Sequence, residues 1–313
     1  MAKRDIRIGS KPYLLILDTI NRCNLRCPLC PTGTDSLNRP RTRLDFERFR
    51  AVFDGLKHYL FEVNLYNWGE PFLNKDIYRM IAYAKAHNVG TSISSNLNII
   101  KPDDLDSIIS SGLEYLVVSL DATTPQVYDT YRKAGDFNTV MNNLRLLLRK
   151  RGERRVAHPM IEWQFIVMKS NMHQQEDAVA LARDIGVDVM RFIPVGLPFD
   201  TPDKASLARE WYPVSDKSGY DYGKNELQYG QSSRKSTCYY LYRSATINPD
   251  GGVSPCCVVY DSKYDFGNAF SSNFDEIWNN ERFQSARALF SRKKISAARN
   301  TPCYTCPLFD KSH

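Results

Sequence analysis

Short apolar, β-branched segments alternate with amphipathic segments from residue 13 to residue 195. The six candidate strands are Tyr13–Asp18, Glu62–Tyr66, Thr91–Ser95, Tyr115–Leu120, Ile161–Met168 and Val189–Val195. Helix signals lie between them, such as Thr124-Pro125 and Lys101-Pro102 at helix starts. This alternation predicts an α/β fold with repeated βα units around a parallel sheet, as a whole barrel, a partial barrel or an open doubly wound sheet. In these architectures, active sites gather at the C-terminal ends of the strands.

Length and charge narrow the class of protein. With 313 residues and 42% apolar side chains, the chain can bury one large core and a small second one. Its longest apolar stretches are of strand length, so we expect no membrane span and a soluble, cytoplasmic protein. The net charge of +7 is scattered, and the densest basic run, Arg145 to Arg155, is typical of a solvated helix surface. A nucleic-acid partner is therefore not predicted.

The composition and periodicity of the sequence change after residue 197. Between Pro198 and Ser236 it is polar and aperiodic, which predicts a linker or a substrate-covering loop. A hairpin pattern follows over Ala245–Val253, and then a helix pattern over Asn273–Phe290. We therefore predict a domain of βα units over 1–200, a linker over 201–236 and a small α+β domain over 237–313.

Eight cysteines are bunched at short spacings, which favours metal ligation over disulfides in a chain without a secretory signal. Cys23, Cys27 and Cys30 follow the first strand directly. Three thiolates at this spacing can hold one face of a cubane cluster and leave the fourth iron without a protein ligand. Zinc is the alternative, but structural zinc sites more often use four protein ligands in paired CxxC elements.

This CxxxCxxC element after the first strand resembles the signature of the radical S-adenosylmethionine (SAM) superfamily. The resemblance implies a partial (β/α)6 TIM-like barrel and a [4Fe-4S] cluster whose open iron chelates SAM. It also implies reductive cleavage of SAM to a 5'-deoxyadenosyl radical that abstracts hydrogen, with electrons from a flavodoxin- or ferredoxin-type donor. Leu29 replaces the aromatic residue that usually contacts adenine in the family.

Further segments resemble the family's SAM-binding positions, in the expected order along the strands. Trp68-Gly69-Glu70-Pro71 is similar to the GGE segment that receives the SAM ammonium, with Trp68 where glycine is usual. Arg132 resembles the arginine that pairs with the SAM carboxylate, and a solvated surface arginine is the alternative. The full set that the resemblance implies for SAM binding is Leu29, Gly69, Glu70, Ser94, Asn96, Ser119, Asp121 and Arg132.

A second thiol set, Cys238, Cys256, Cys303 and Cys306, lies in the C-terminal segment. Spacing alone leaves an iron-sulfur cluster and a zinc ribbon equally open. The resemblance of Asn248-Pro249-Asp250-Gly251 and Glu276-Ile277-Trp278-Asn279 to SPASM and twitch extensions implies one auxiliary [4Fe-4S] cluster of the twitch type. Cys257 is the alternative ligand to Cys256.

The resemblance implies a radical SAM oxidoreductase that oxidises or epimerises a small sugar-like or aminocyclitol substrate and passes an electron to the auxiliary cluster. The 22 residues before Cys23 are too few for a folded peptide-recognition domain, which favours a small molecule. A peptide-modifying SPASM maturase is the alternative. A zinc-stabilised nucleic-acid-binding module is the second alternative. The sequence singles out no catalytic acid or base.

Overall fold

The computed structural model describes residues 5–213, 238–291 and 300–306. In these residues one eight-stranded sheet has the order β6-β5-β4-β3-β2-β1-β7-β8, parallel except that β8 runs antiparallel to β7. The strands are β1 Leu14–Leu17, β2 Glu62–Asn64, β3 Gly90–Ser95, β4 Tyr115–Ser119, β5 Met160–Val167, β6 Val189–Pro194, β7 Ser244–Ile247 and β8 Val253–Ser254. The predicted strands are thus confirmed as β1 to β6, and the α/β fold class with its partial (β/α)6 barrel is confirmed.

Helices follow the strands in alternation, as the sequence pattern predicts. They are α1 Phe46–Leu56, α2 Ile77–Ala86, α3 Pro102–Ser110, α4 Pro125–Tyr131, α5 Phe137–Glu153, α6 Gln175–Ile185, α7 Lys204–Trp211, α8 Tyr240–Arg243, α9 Phe274–Trp278 and α10 Glu281–Ala288. The helix α3 begins at its expected proline, and Asp104 accepts a hydrogen bond from the Lys101 backbone at 2.9 Å. In the described part of the chain, none of the helices has the length and apolar character that a membrane crossing requires.

Side chains alternate between the two faces of the parallel strands. One set, including Val63, Leu116 and Trp163, packs beneath the helices in the main hydrophobic core. The other set faces the concave inner side of the sheet, which we call the lumen, because successive residues of a strand point to opposite faces. Many of the side chains on this inner face are polar.

The basic run lies on α5, where acids of neighbouring elements pair with it. Asp106 of α3 lies 2.8 Å from Lys150 and 2.6 Å from Arg154. Arg151 pairs with Asp188. The basic side chains therefore lie on a helix surface, as predicted.

The C-terminal hairpin continues the barrel sheet. β7 pairs in parallel with β1, with Leu14 opposite Ser244 and Leu17 opposite Ile247. The hairpin turn needs Gly251, which has a φ of +87° and whose added Cβ would lie 2.5 Å from the Asn268 side chain. The predicted hairpin is present, and its attachment to β1 brings the C-terminal cysteines to the barrel.

Two local expectations differ from the structure. The first part of the predicted linker forms α7, because Asp203 caps its N-terminus and Trp211 is buried against Tyr131 with ring centroids 5.5 Å apart. Residues 214–236 of that linker lie outside the described residues. The helix predicted over 273–290 is two helices, since the Asn280 side chain accepts from Phe283 N and starts α10 anew.

Candidate functional site: two cysteine sets at the barrel

The first three cysteines lie in the loop after β1. The loop is held by backbone hydrogen bonds from Arg26 N to Lys133 O at 2.8 Å and from Cys30 N to Cys27 O at 3.1 Å. Gly33 packs against the same loop, and a Cβ there would lie 2.5 Å from the Cys27 carbonyl oxygen. Only glycine allows this approach, so Gly33 helps to set the Cys27 backbone.

Apolar side chains surround these thiols. This cysteine-loop cluster consists of Leu25, Leu29, Tyr131, Met168, Val195 and Trp211. Burial raises the pKa of Cys23 to about 12 and that of Cys27 to about 11, and Arg132 opposes the effect at Cys27. Metal binding must therefore displace a proton from each thiol.

The segment after β2 packs on the backbone that leads into the cysteine loop. Glu70 N donates to Arg22 O at 2.8 Å. A methyl group at Gly69 would overlap the Ile20 carbonyl oxygen. The glycine of this motif is thus needed for a close backbone approach, whatever it contributes to SAM binding.

The Glu70 carboxylate is buried and joins the ends of β2 and β3. One oxygen accepts from Ser95 Oγ at 2.8 Å and Phe72 N at 3.2 Å, and the other accepts from Asn96 N at 2.9 Å. Burial raises the pKa of Glu70 to about 7 against these hydrogen bonds. Three protein groups therefore donate hydrogen bonds to the Glu70 carboxylate, for which the family resemblance implies binding of the SAM ammonium.

Arg132 is buried and not on the surface. Its Nε lies 2.6 Å from Asp121 Oδ2, with side-chain exposures of 11% and 1%. The other Asp121 oxygen accepts from Ile166 N at 2.7 Å. Because Arg132 also lowers the pKa of Cys27, the guanidinium lies beside the cysteine loop.

The remaining predicted SAM contacts lie at the same edge of the sheet. The Ser94 and Ser119 hydroxyls are 3.1 Å apart. The Asn96 amide lies 3.7 Å from Cys23 Sγ and 3.0 Å from the Asn24 side-chain oxygen. The structure thus brings the predicted residues together around the cysteine loop, and their contacts with SAM stay a prediction.

The four C-terminal cysteines of the second set raise one another's pKa values. Burial raises the pKa of Cys303 well above its usual range, and Cys256, Cys238 and Cys306 raise it further. Burial also raises the pKa of Cys256, and Cys257, Cys306 and Cys238 raise it further. Mutual influence among these thiols, of which Cys303 is buried and the others partly buried, fits ligation of an iron-sulfur cluster by four cysteines.

Among residues 5–213, 238–291 and 300–306, no three His, Cys, Asp or Glu side chains converge closely enough to hold one metal ion.

Cys257 is the neighbour of Cys256 and the alternative ligand. Tyr240 donates a hydrogen bond to its thiol. Cys257 raises the pKa of Cys256 and, after burial and Glu62, that of Tyr66. The choice of Cys256 as the ligand stays a prediction.

Arg39 was not found from the sequence, where a single arginine in a loop carries no signal. Its guanidinium is 1% exposed and donates to Asp265 at 2.8 Å and Asp250 at 3.2 Å. Its Nε donates to Tyr260 O at 2.5 Å. Arg39 thus ties the segment after Cys30 to the C-terminal hairpin.

Two family models match the chain. The radical SAM superfamily model matches residues 17–161, and the SPASM model, an iron-sulfur cluster-binding domain, matches residues 238–307.

Curated relatives cover most of the chain at low identity. An AdoMet-dependent heme synthase of Nitratidesulfovibrio vulgaris is 23% identical over 91% of this chain and 84% of its own length. A mycofactocin maturase MftC of Mycobacterium ulcerans is 25% identical over 86% of this chain and 75% of its own length.

Solved structures share the fold. Streptococcus suis SuiB bound to S-adenosylmethionine superposes with a TM-score of 0.68 at 16% identity, covering 95% of this chain and 72% of SuiB. The structure of anSMEcpe with bound AdoMet gives 0.66 at 16% identity, covering 96% and 92%. BtrN in complex with AdoMet and 2-DOIA gives 0.54 at 15% identity, covering 94% of each chain. The chain therefore belongs to the radical SAM superfamily with a C-terminal SPASM domain, and its cofactors are SAM, a [4Fe-4S] cluster and an auxiliary [4Fe-4S] cluster.

Proposed function

We propose that this enzyme abstracts hydrogen from a small polar substrate in the lumen and passes an electron from the substrate to the auxiliary cluster. The outcome is oxidation or epimerisation of a sugar-like or aminocyclitol compound, with electrons supplied by a flavodoxin- or ferredoxin-type donor. When bound and reduced, the first cluster supplies reductive cleavage of SAM to a 5'-deoxyadenosyl radical.

One observation carries this proposal: the auxiliary thiol set borders the lumen. Cys257 follows Cys256 directly and acts on Tyr66, while Tyr240 bonds its thiol. The first thiol set follows β1, and β1 pairs with β7, the first strand of the hairpin that precedes Cys256. A substrate in the lumen is therefore near both sets, as electron transfer to an auxiliary cluster requires.

The ligand assignment is part of the proposal. Cys23, Cys27 and Cys30 hold the SAM cluster, and Cys238, Cys256, Cys303 and Cys306 close the auxiliary cluster. Closed ligation leaves no auxiliary iron open for substrate, which supports an electron-transfer role. The division into 1–200, 201–236 and 237–313 is also part of the proposal, and the start of the SPASM match at residue 238 supports its last boundary.

Charged and apolar residues surround the first cysteine set, where we propose that SAM binds. The buried Asp121–Arg132 pair orients a guanidinium beside Cys27. The cysteine-loop cluster excludes water from this region, because Leu25, Leu29 and Met168 are each 5% exposed or less. Exclusion of water protects a reactive species from side reactions.

A matched pair of cysteine variants tests the electron-acceptor role. Cys306→Ala should lower iron from about eight to about four per chain and retain SAM cleavage, but stop substrate turnover. Cys257→Ala, which keeps all four proposed ligands, should retain iron, SAM cleavage and turnover. Normal turnover by the Cys306 variant would show that the auxiliary site is not the electron acceptor.

A peptide substrate is the second candidate, favoured by two comparisons. One relative is named a mycofactocin maturase, and SuiB has been crystallised with its precursor peptide SuiA. The discriminating experiment adds an ultrafiltered cell extract to the reconstituted enzyme and follows 5'-deoxyadenosine. Stimulation that survives peptidase treatment of the extract supports the small molecule, and stimulation that peptidase abolishes supports the peptide.

A further inference from the structure

Three neighbouring strands present an ordered polar group at the bottom of the lumen. Tyr115 of β4, Glu162 of β5 and Arg191 of β6 face inwards, since their neighbours Leu116 and Trp163 belong to the outer core. We call Tyr66, Tyr115, Glu162 and Arg191 the lumen floor.

Tyr66 shows that the floor extends across the lumen. It follows β2, which is separated from β5 by two strands of the sheet. Nevertheless Glu162 raises the pKa of Tyr66 and Arg191 lowers it, after the larger effect of burial, which together bring it to about 12. Tyr66 therefore lies near Glu162 and Arg191, although β2 and β5 are not paired in the sheet.

Glu162 holds Arg191 in a fixed orientation. One carboxylate oxygen accepts from the Tyr115 hydroxyl at 2.6 Å, and the other accepts from Arg191 Nε at 2.8 Å and Nη2 at 2.7 Å. The Glu162 side chain is 1% exposed, whereas that of Arg191 is 52% exposed. Among the residues that the structure describes, no acceptor binds Arg191 Nη1.

Arg191 neutralises the buried Glu162 carboxylate, and the pair adds little net stability beyond that. Desolvating a carboxylate costs several kcal/mol, and a buried ion pair is often no more stabilising than apolar residues of the same volume. A guanidinium with one edge pinned and the other accessible is, however, preorganised for a planar anion. Gln164 lies beside it, because Gln164 and Arg191 are paired in register. Glu62 of β2 accepts from Ser92 Oγ at 3.0 Å.

We propose that Arg191 binds a carboxylate group of the substrate, and that Glu162 and Tyr115 are positioning residues that orient it. This inference rests on the proposed function, because it takes the lumen as the substrate site. It narrows the proposed sugar-like substrate to a sugar acid or similar small organic acid and excludes a plain aminocyclitol, with the terminus of a peptide as the other source of the carboxylate.

Phenylglyoxal footprinting of the reconstituted holoenzyme with SAM tests this directly. The reagent modifies accessible arginines, and mass spectrometry follows Arg191 and, as internal reference, the exposed Arg183 of α6. The probes are formate, acetate and succinate, with succinamide as the uncharged counterpart of succinate. We expect the carboxylates to slow modification of Arg191 severalfold and not that of Arg183, and succinamide to protect neither. Equal modification of Arg191 with and without every carboxylate would overturn the proposal.

Two peptides separate the sources of the carboxylate. Triglycine has a free terminal carboxylate, and its amidated form has none. Protection by triglycine at lower concentration than succinate assigns the site to a peptide terminus, and the reverse order assigns it to a small organic acid. The footprint needs no SAM cleavage, so its failure is distinct from a failure to form 5'-deoxyadenosine, which would contradict the proposed function instead.

Variants test the positioning residues. Glu162→Gln should quicken phenylglyoxal modification of Arg191 and weaken its protection by succinate, because the guanidinium is no longer pinned. Glu153→Gln, on the exposed face of α5, should change neither. Tyr115→Phe removes one hydroxyl and gives the same test if the Glu162 variant does not fold. Wild-type protection in a folded Glu162 or Tyr115 variant would show that these residues do not position Arg191.

Discussion

Gly33 and Gly69 are required by backbone contacts and not by turns. Gly33 faces the Cys27 backbone, and Gly69 faces the Ile20 carbonyl. The family resemblance pointed to Gly69 for SAM binding, but the need for its missing side chain was not visible in the sequence. Gly33 was not predicted, because its contact is with a carbonyl oxygen and no side-chain pattern records such a contact. The cysteines could be singled out as candidate ligands because their spacing in the chain is itself the signal, and their ligand roles stay a prediction.

Replacing Gly33 with Ala should impair the first cluster selectively. The new methyl group displaces the Cys27 backbone, so iron in the reconstituted protein should fall by about half, to the four of the auxiliary cluster. Iron analysis of the purified variant measures this. Gly55→Ala is the control, because nothing lies within 4 Å of a Cβ added in α1. Unchanged iron content in the Gly33 variant would contradict the assigned contact.

Asp18, at the end of β1, should make stability depend on pH. Burial raises its folded-state pKa from 3.8 to about 7, against hydrogen bonds from Trp68, Gly69 and Ile20. The contribution of the protonated group is fully present below 3.8 and is lost as the pH rises to about 7, because the unfolded chain releases the proton first.

Asp18→Asn should therefore flatten the dependence of the free energy of unfolding on pH. Urea unfolding under anaerobic conditions, once between the two pKa values and once above the higher, measures the difference. The wild-type protein should be less stable at the higher pH, and the variant should show a smaller change. An equal fall in stability in both proteins would assign it to other groups.

The six parallel strands were predictable because each is an apolar segment between helix signals, a local property. The position of β7 beside β1 was not, since it pairs residues that lie more than two hundred positions apart. The division into α9 and α10 was missed for a local reason, because Asn280 acts as a cap inside a continuous helical pattern. The Arg39 contacts could likewise not be predicted from the sequence, because they join the first loop to the last hairpin.

Removing the Arg39 side chain should loosen the attachment of the hairpin. Arg39→Ala leaves Asp250 and Asp265 without their shared cation, and breaking a buried pair costs about 3–5 kcal/mol. Urea unfolding measures this loss, and hydrogen exchange should quicken over 250–265. Arg41→Ala, which removes an exposed ion pair with Asp35, should cost less than about 1 kcal/mol. Equal effects of the two variants would show that Arg39 does not hold the hairpin.

At the scale of the whole molecule, one continuous sheet carries both cysteine sets to one lumen. The first set follows β1, and the second is attached through β7, the neighbour of β1. Sequence spacing identified both sets but could not relate them in space. The polar lumen floor escaped prediction because its members come from four separate strands or strand ends and share no motif.

The central claim is that the first cysteine set holds the cluster that binds SAM and the second set holds the auxiliary cluster. Electron paramagnetic resonance of the reduced protein, with and without SAM, tests this claim most directly. SAM should change the spectrum of the wild-type protein and of Cys306→Ala, because both keep the three cysteines of the first loop. SAM should leave the spectrum of Cys27→Ala unchanged, with only the auxiliary cluster signal present. A SAM-dependent change in the Cys27 variant, or none in the Cys306 variant, would contradict the account.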